Sequence, residues 1–357
     1  MDASVRGGTL YSGGMPRPVS NPPNPWETLH AEWLGEPPAA ELQVFEEEAR
    51  SIIAENESPD VGFQFSVNPY RGCFHACAYC YARPTHQYLG WGAGTDFDRK
   101  IVAKVNAPDV LRRELSRRSW KGDTIVFSGV TDCYQPLEAV YGLTRRCLET
   151  CLEFRNPVGV VTKGALVRRD AAILAALARE ADAIVYVSVP FADERAARAI
   201  EPNVATPAQR FETIAALTEA GVPAGVAVAP VIPGLSDSDI PRILSRAREA
   251  GAERAFLTLL RLPAETRLVF ERRIAEAYPD RAARIFSNLE QMRNGKRNES
   301  RFGARMEGTG PRWAAVETLF DVECRRLGFN RQADGTPHTS TYRRPPAGPQ
   351  KSLFDPD

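Results

Sequence analysis

The chain has 357 residues, 45 Lys and Arg against 45 Asp and Glu, and 43% hydrophobic residues. This length suits about two domains or one α/β barrel, and the composition excludes a wholly disordered or fibrous chain. There is no apolar run of about 18 residues, which argues against a membrane-spanning helix. Residues 1–25 lack the apolar stretch of a signal peptide, so we expect a cytoplasmic protein with reduced thiols.

Both ends of the chain are rich in Pro and Gly. Residues 1–40 contain seven prolines, and such a segment buries too little apolar area to offset the entropy lost on ordering. We therefore predict a disordered tail over residues 1–40. A second flexible tail is predicted over residues 334–357, which have the same composition.

Apolar, β-branched runs recur through the middle of the chain, and most are followed by a segment with helical periodicity. The predicted strands are Phe63–Val67, Thr124–Val130, Val158–Thr162, Ala183–Val189, Ala224–Ile232 and Arg254–Leu262. The predicted helices are Leu143–Phe154, Leu166–Glu180, Pro207–Ala220, Ile240–Ala250 and Ala264–Tyr278. This alternation predicts an α/β fold with a parallel sheet, either doubly wound or a partial barrel. No G-x-G-x-x-G follows the first strand, so a dinucleotide-binding fold is not supported.

Three of the seven cysteines lie in one loop directly after the first predicted strand. Cys73, Cys77 and Cys80 have the spacing C-x3-C-x2-C, which suits an iron–sulfur cluster or zinc. A 4Fe–4S cubane held by three cysteines keeps one iron open for a chelating ligand. The alternative is a zinc site with His75 or His86 as the fourth ligand, which would make the protein a zinc-stabilised, non-catalytic nucleic-acid-binding module.

The loop from Asn68 to Arg83 resembles the signature of the radical S-adenosylmethionine superfamily, and its wider context resembles the spore photoproduct lyase-like branch. The resemblance covers Ser58–Pro279 and implies a partial (β/α)6 barrel as a core domain over residues 58–280, followed by a basic helical extension over 281–333. It also implies a 4Fe–4S cluster and the cofactor S-adenosylmethionine. One electron, from a donor such as flavodoxin or ferredoxin, would cleave the cofactor to methionine and a 5′-deoxyadenosyl radical that abstracts hydrogen from substrate.

The same resemblance assigns the ends of the predicted strands to the cofactor. Tyr79 would pack on the adenine, and Ser128 and Gly129 would lie beside the amino group. Lys163 would pair with the cofactor's carboxylate or with a substrate phosphate. Ser188 and Glu201 would contact the carboxylate and the ribose hydroxyls, and Asp132 and Glu138 are further polar candidates.

The four dispersed cysteines have separate interpretations. Cys133 follows the second predicted strand, where its thiol would return a hydrogen atom to a substrate radical or would simply be a small buried residue. Cys147 and Cys151 are four residues apart on one helix, and Cys324 lies in an amphipathic helix over Trp313–Leu327. We expect these three thiols to be core residues.

Two features bear on partners. The family resemblance suggests a nucleic-acid base as substrate, as in repair of a DNA lesion. Residues 281–312 carry eight basic against three acidic residues, which predicts either a nucleic-acid contact or a solvated surface loop. At the C-terminus, Gln350, Ser352, Leu353 and Phe354 resemble the short peptide by which bacterial DNA-repair and replication proteins bind the sliding clamp, with Lys351 in place of the usual leucine; the alternative is an inert tail.

Overall fold

The computed structural model describes residues 41–331 and 340–345. The predicted N-terminal tail and the peptide Gln350–Phe354 therefore lie outside the described residues. Ten strands are present in the described part: β1 Gln43–Glu47, β2 Ile53–Glu55, β3 Phe65–Val67, β4 Tyr70–Arg71, β5 Lys100–Lys104, β6 Ile125–Phe127, β7 Val158–Thr162, β8 Ala183–Ser188, β9 Ala224–Val231 and β10 Arg254–Leu259.

Eleven α-helices accompany these strands in the described ranges. They are α1 Thr95–Arg99, α2 Ala107–Leu115, α3 Glu138–Tyr141, α4 Leu143–Glu153, α5 Ala171–Glu180, α6 Glu194–Ile200, α7 Pro207–Glu219, α8 Ile240–Glu249, α9 Thr266–Ala277, α10 Pro279–Gln291 and α11 Gly310–Leu327. Each of these helices is too short or too polar to cross a membrane.

The main sheet has the strand order β10-β9-β8-β7-β6-β3-β2. All neighbouring pairs are parallel except β2 with β3, which is antiparallel. The order follows the chain without the reversal of a doubly wound sheet, and β10 and β2 remain as edges among the described residues. The fold is therefore a partial (β/α)6 barrel, as the family resemblance implies.

Local signals explain where α7 begins and ends. At α7, the Gln209 backbone N–H donates to Thr206 Oγ1, and the Thr206 N–H donates to the Gln209 side chain. Pro207 occupies the first turn, where its missing N–H costs nothing. Gly221 follows the helix at φ +80°, a backbone angle that favours glycine. The predicted boundaries of this unit were therefore close to the observed ones.

A second, three-stranded sheet was not predicted from the sequence. In it β1 pairs in parallel with β5, and β4 pairs antiparallel with β5. Because β4 ends at Arg71, two residues before Cys73, this small sheet fixes where the cysteine loop begins. The loop therefore lies between the small sheet and the barrel.

Residues 340–345, inside the predicted C-terminal tail, form a strap across the helix-to-strand loops of the barrel. The Tyr342 hydroxyl donates to the Leu115 carbonyl at 2.5 Å, and its ring stacks on Phe154 with centroids 6.4 Å apart. The Thr341 hydroxyl lies 3.2 Å from the carbonyl oxygens of both Arg155 and Ala181. These contacts lie at the amino ends of the strands, on the face opposite the cysteine loop.

Candidate active site

The cysteine loop follows β3 and the short strand β4 at the carboxyl end of the barrel, with Cys73 and Cys77 only 7% and 8% exposed. Its entry depends on Gly72, whose φ is +76°. A Cβ atom at this position would lie 2.8 Å from His86 Cε1 and 2.9 Å from the Phe97 carbonyl oxygen. Only glycine fits this turn, and it lets the Cys73 N–H donate to the Phe97 carbonyl at 3.0 Å.

Arg83 clamps the loop from within. Its side chain is fully buried and donates to the Cys77 carbonyl from Nε at 3.1 Å and from Nη2 at 2.9 Å. Nη1 donates to the carbonyls of Ala93 and Gly94, both at 3.0 Å. Nη2 also pairs with the buried Asp98 carboxylate at 2.9 Å. A buried guanidinium with its donors satisfied in this way fixes the backbone on which the second cysteine sits.

The segment that follows β6 holds the loop from a second side. Thr131 Oγ1 donates to the Gly72 carbonyl at 2.6 Å, and Gln135 Nε2 donates to the same oxygen at 3.1 Å. Gln135 Oε1 in turn accepts from the Phe74 N–H at 3.0 Å. The carboxyl end of β6 and the cysteine loop therefore form one hydrogen-bonded unit.

Residues from the end of α6 onward hold the loop from a third side. The Ala78 N–H donates to the Ile200 carbonyl at 3.0 Å, and Asn203 Nδ2 donates to the Phe74 carbonyl at 2.9 Å. Next to these contacts, the Tyr79 hydroxyl donates to the Glu201 carboxylate. This attachment joins the aromatic residue of the cysteine motif to the fourth strand unit of the barrel.

Glu201 is itself held by Arg210, and both side chains are almost completely buried. Arg210 also donates to the carbonyls of Ser188 at 3.1 Å and Ala205 at 2.8 Å. Burial, and next the negative charge of Glu201, raise the pKa of Tyr79 well above its usual range. The sequence predicted Glu201 and Ser188 as site residues but missed Arg210, which connects them.

Asp132 links three elements at the mouth of the barrel. Its carboxylate accepts from Thr162 Oγ1 at 2.6 Å and from the Lys163 N–H at 2.7 Å, and it faces His75 Nδ1 at 3.3 Å. Burial alone would raise the pKa of Asp132, but His75 and these hydrogen bonds outweigh it and hold the pKa well below the usual range. Asp132 is therefore an ionised anchor for the cysteine loop.

The remaining predicted cofactor residues fall into two groups. Lys163 Nζ lies 5.7 Å from the centroid of the Tyr79 ring, so Lys163 joins Tyr79 and Glu201 on one side. Ser128 leaves β6 at φ +89° and accepts from the Cys133 N–H at 3.2 Å. The Gly129 carbonyl accepts from the hydroxyl of Tyr81, which follows Cys80. Both groups border the cysteine loop.

Two candidates are buried, and one of them, Glu138, has several structural partners. Glu138 is fully buried and accepts from Tyr70 Oη at 2.6 Å, from the Thr144 N–H at 2.9 Å and from Arg169 Nη2 at 2.7 Å. Cys133 has no exposed surface, and burial raises the pKa of its thiol well above the usual range. That environment matches the core interpretation of Cys133 and keeps its S–H protonated.

The three cysteines of the loop must lose their protons to bind either a cluster or a single zinc ion. Burial raises the pKa of Cys73, as do the nearby Asp132, Cys77 and Cys80, so the thiol is protonated without a metal and any metal that binds here must displace that proton. Within the described residues, no three His, Cys, Asp or Glu side chains are arranged to hold one metal ion. Thiolates on different irons of a cubane lie farther apart than thiolates on one ion.

Each of the two histidines that the zinc alternative offers as a fourth ligand uses one ring nitrogen in a described contact. His75 faces Asp132, as described above, and His86 Nε2 lies 2.8 Å from the Lys100 carbonyl oxygen. The His86 ring also packs edge-on against Phe97 with centroids 5.2 Å apart. Among the described residues His86 Nδ1 is buried without a hydrogen-bond partner, and a carboxylate or carbonyl on one ring nitrogen is typical of a histidine that binds metal through the other, so these contacts leave the zinc alternative open.

Comparison with known sequences agrees with this geometry. The sequence profile of the radical SAM superfamily matches residues 67–247, which is half of the chain. The protein therefore belongs to the radical SAM superfamily.

Curated relatives have the same core. The chain is 39% identical over 224 residues to an uncharacterized protein of Mycobacterium tuberculosis, a match that spans 62% of this chain and 66% of that protein, just under two thirds of its length. It is 28% identical over 201 residues to a protein of Methanocaldococcus jannaschii, covering 56% and 71% of the two chains. It is also 26% identical over 188 residues to the radical SAM Nalpha-GlyT isomerase of Pseudomonas phage M6, covering 52% and 37%.

Among solved structures, the fold resembles that of spore photoproduct lyase. A mutant of that enzyme has a TM-score of 0.58 at 15% identity and covers 80% of each chain. The same enzyme complexed with dinucleoside spore photoproduct has a TM-score of 0.58 at 16% identity with the same coverage. At this identity the similarity shows the fold, which is the radical SAM core with a parallel sheet.

Proposed function

We propose that Cys73, Cys77 and Cys80 hold a 4Fe–4S cluster whose fourth iron binds S-adenosylmethionine. When bound and reduced, this pair supplies a 5′-deoxyadenosyl radical that abstracts hydrogen from the substrate. The observation that supports the proposal most is the cysteine loop itself, which is buried at the carboxyl end of a barrel strand and hydrogen-bonded on three sides. Active sites of parallel barrels lie at this end of the strands.

The chain's own residues have separate roles in this proposal. Tyr79, oriented by Glu201 and Arg210, offers an aromatic face to the adenine. Lys163 offers a cation beside that ring for the cofactor's carboxylate. Ser128 and Gly129, at the sharp turn after β6, would contact the amino group from the other side. We expect Cys133 to act in packing rather than as a hydrogen donor, since no part of its side chain is exposed.

The substrate class that we propose is a nucleic-acid base. The support is the fold shared with spore photoproduct lyase, which has been solved in complex with a dinucleoside spore photoproduct. An electron donor such as flavodoxin or ferredoxin is the expected protein partner, because radical SAM enzymes need a reductant.

The cluster proposal is tested by anaerobic purification and metal analysis. We expect a brown protein with four irons and four sulfides per chain, and a colourless, iron-free protein for Cys77→Ala. The matched control is Cys151→Ala, because Cys151 is equally buried but lies in the helical core. A colourless wild-type protein with one zinc per chain would support the zinc-stabilised binding module instead.

The substrate class is tested by isotope transfer. Reduced enzyme is incubated with perdeuterated DNA, perdeuterated RNA or a perdeuterated peptide digest, and 5′-deoxyadenosine is analysed by mass spectrometry. Deuterium from DNA or RNA supports a nucleic-acid substrate. Transfer from the peptides alone would contradict it.

A further inference from the structure

The basic segment over residues 281–312 is mostly engaged in structural contacts. Arg293 is buried and donates to four carbonyl oxygens, those of Leu260, Ala304, Arg305 and Glu307. Arg297 pairs with Glu271 and Glu290, Arg301 with Glu299, and Arg305 with Asp60. Three of the eight basic residues counted in the sequence therefore have ion pairs, and a fourth is satisfied by carbonyl oxygens.

Among residues 41–331 and 340–345, the side chains of two cations in this segment form neither a hydrogen bond nor an ion pair. They are Lys296 and Arg284, and both are exposed. Lys296 borders a cleft of about 640 Å³, whereas Arg284 lies outside it. The cleft is lined by Leu262, Ala264, Glu265, Arg267, Leu268, Lys296, Arg297 and Asn298.

The cleft lies next to the cysteine loop. One wall is the start of α9, where Thr266 Oγ1 donates to the Cys80 carbonyl at 3.1 Å. The opposite wall is joined to it by the Leu262 N–H, which donates to Asn298 Oδ1 at 3.1 Å. The first wall follows the carboxyl end of β10 and the second follows α10, and Thr266 of the first wall contacts the cysteine loop.

The cleft also contains an acceptor. Glu265 Oε2 is buried and has no hydrogen-bond partner in the described part of the chain. An inorganic anion would pair with Lys296 but would be repelled by the Glu265 carboxylate. A ligand that carries a phosphate for Lys296 and an N–H donor for Glu265 satisfies both side chains. A nucleotide with an amino group on its base has this combination.

We infer that this cleft binds a nucleotide of the substrate strand, with its phosphate on Lys296 and its base edge on Glu265. The inference rests on the proposed nucleic-acid substrate and assigns its binding to a few residues instead of the whole basic segment. The apolar walls Leu262 and Leu268 would pack against the sugar and base.

The test compares Lys296→Gln with Arg284→Gln in the full-length, cluster-loaded enzyme. Each removes one exposed, unpaired cation from the same segment, and equal iron content confirms that the variants fold. The probe is a fluorescein-labelled single-stranded DNA oligonucleotide of mixed sequence, followed by fluorescence anisotropy at several salt concentrations. Lys296→Gln is expected to weaken binding about fivefold at low salt. It should also lower the slope of log K against log salt by about 0.7, while Arg284→Gln matches the wild type.

The outcomes distinguish a failure of the cleft inference from a failure of the proposed radical chemistry. Equal loss in the two variants, or inorganic phosphate competing as well as a nucleoside monophosphate such as dCMP, would overturn the inference. If dCMP binds about as tightly as the oligonucleotide and inorganic phosphate does not compete, the cleft binds a nucleotide, but its ligand is a free nucleotide and not part of a strand. Formation of 5′-deoxyadenosine by the wild type is measured on the same sample. If it occurs without oligonucleotide binding, the cleft inference fails and the radical chemistry stands; if it is absent, the proposed function fails.

Discussion

Arg83→Met should both destabilise the protein and impair cluster loading. Arg83 is fully buried and makes six hydrogen bonds, to the Cys77, Ala93 and Gly94 carbonyls and to Asp98. Removing one partner of a buried ion pair costs about 3–5 kcal/mol, because the other charge is left uncompensated. That is a large part of the roughly 5–15 kcal/mol that stabilises a folded domain. Burial already raises the pKa of Asp98, against the opposing charge of Arg83.

The assay is urea unfolding of the anaerobic enzyme together with iron content. The matched control is Arg112→Met, since the Arg112–Glu153 pair is 48% and 40% exposed and should contribute less than about 1 kcal/mol. Arg83→Met with Asp98→Leu should regain part of the stability, because no buried charge remains. It should not regain full iron content, because the bonds to the Cys77 carbonyl are still missing. A loss for Arg83→Met no larger than for Arg112→Met would refute the reasoning.

Three further predictions follow from single contacts. Gly72→Ala should lower iron content and lower the free energy of unfolding by more than about 1 kcal/mol, because the φ of Gly72 is +76° and a Cβ there meets His86. Gly62→Ala is the control, because a Cβ there has open space, and it should be near neutral in the same iron assay. Burial, and next Arg71, lower the pKa of Lys104 to about 8. Unfolding therefore takes up a proton between about pH 8 and 10.4, and stability rises with pH across this window. Lys104→Met should be more stable than wild type at pH 7 by urea unfolding, with the difference closing near pH 10.4; a constant difference would contradict this. A peptide of residues 345–357 should bind a bacterial sliding clamp in a calorimetric titration, and Leu353→Ala with Phe354→Ala should abolish binding; no binding of the unmodified peptide would remove the clamp from consideration.

The strand units were predictable because their signals are local. The β-branched runs at Val158–Thr162 and Ala183–Val189 identify strands without knowledge of their neighbours. The strand after the cysteine loop was predicted to extend to Val130 but ends at Phe127, because Ser128 turns at φ +89°. Periodicity does not encode such a turn.

The contacts that orient the site were not predictable, because they join distant segments. β1 and β5 pair although more than fifty residues separate them, and neither has a distinctive pattern. Glu138 was predicted near the cofactor from its place after a strand, yet its carboxylate is occupied by Tyr70 and Arg169. Charge counting likewise did not reveal that Arg305 is paired with Asp60.

The most direct measurement is the release of 5′-deoxyadenosine from S-adenosylmethionine by the dithionite-reduced enzyme, followed by liquid chromatography. We expect release by the wild type and by Cys151→Ala, and none by Cys73→Ala, Cys77→Ala or Cys80→Ala. Release that persists in any of these three variants would contradict a catalytic cluster held by the three cysteines. Absence of release from a wild-type protein that carries four irons would contradict the proposed cleavage of S-adenosylmethionine.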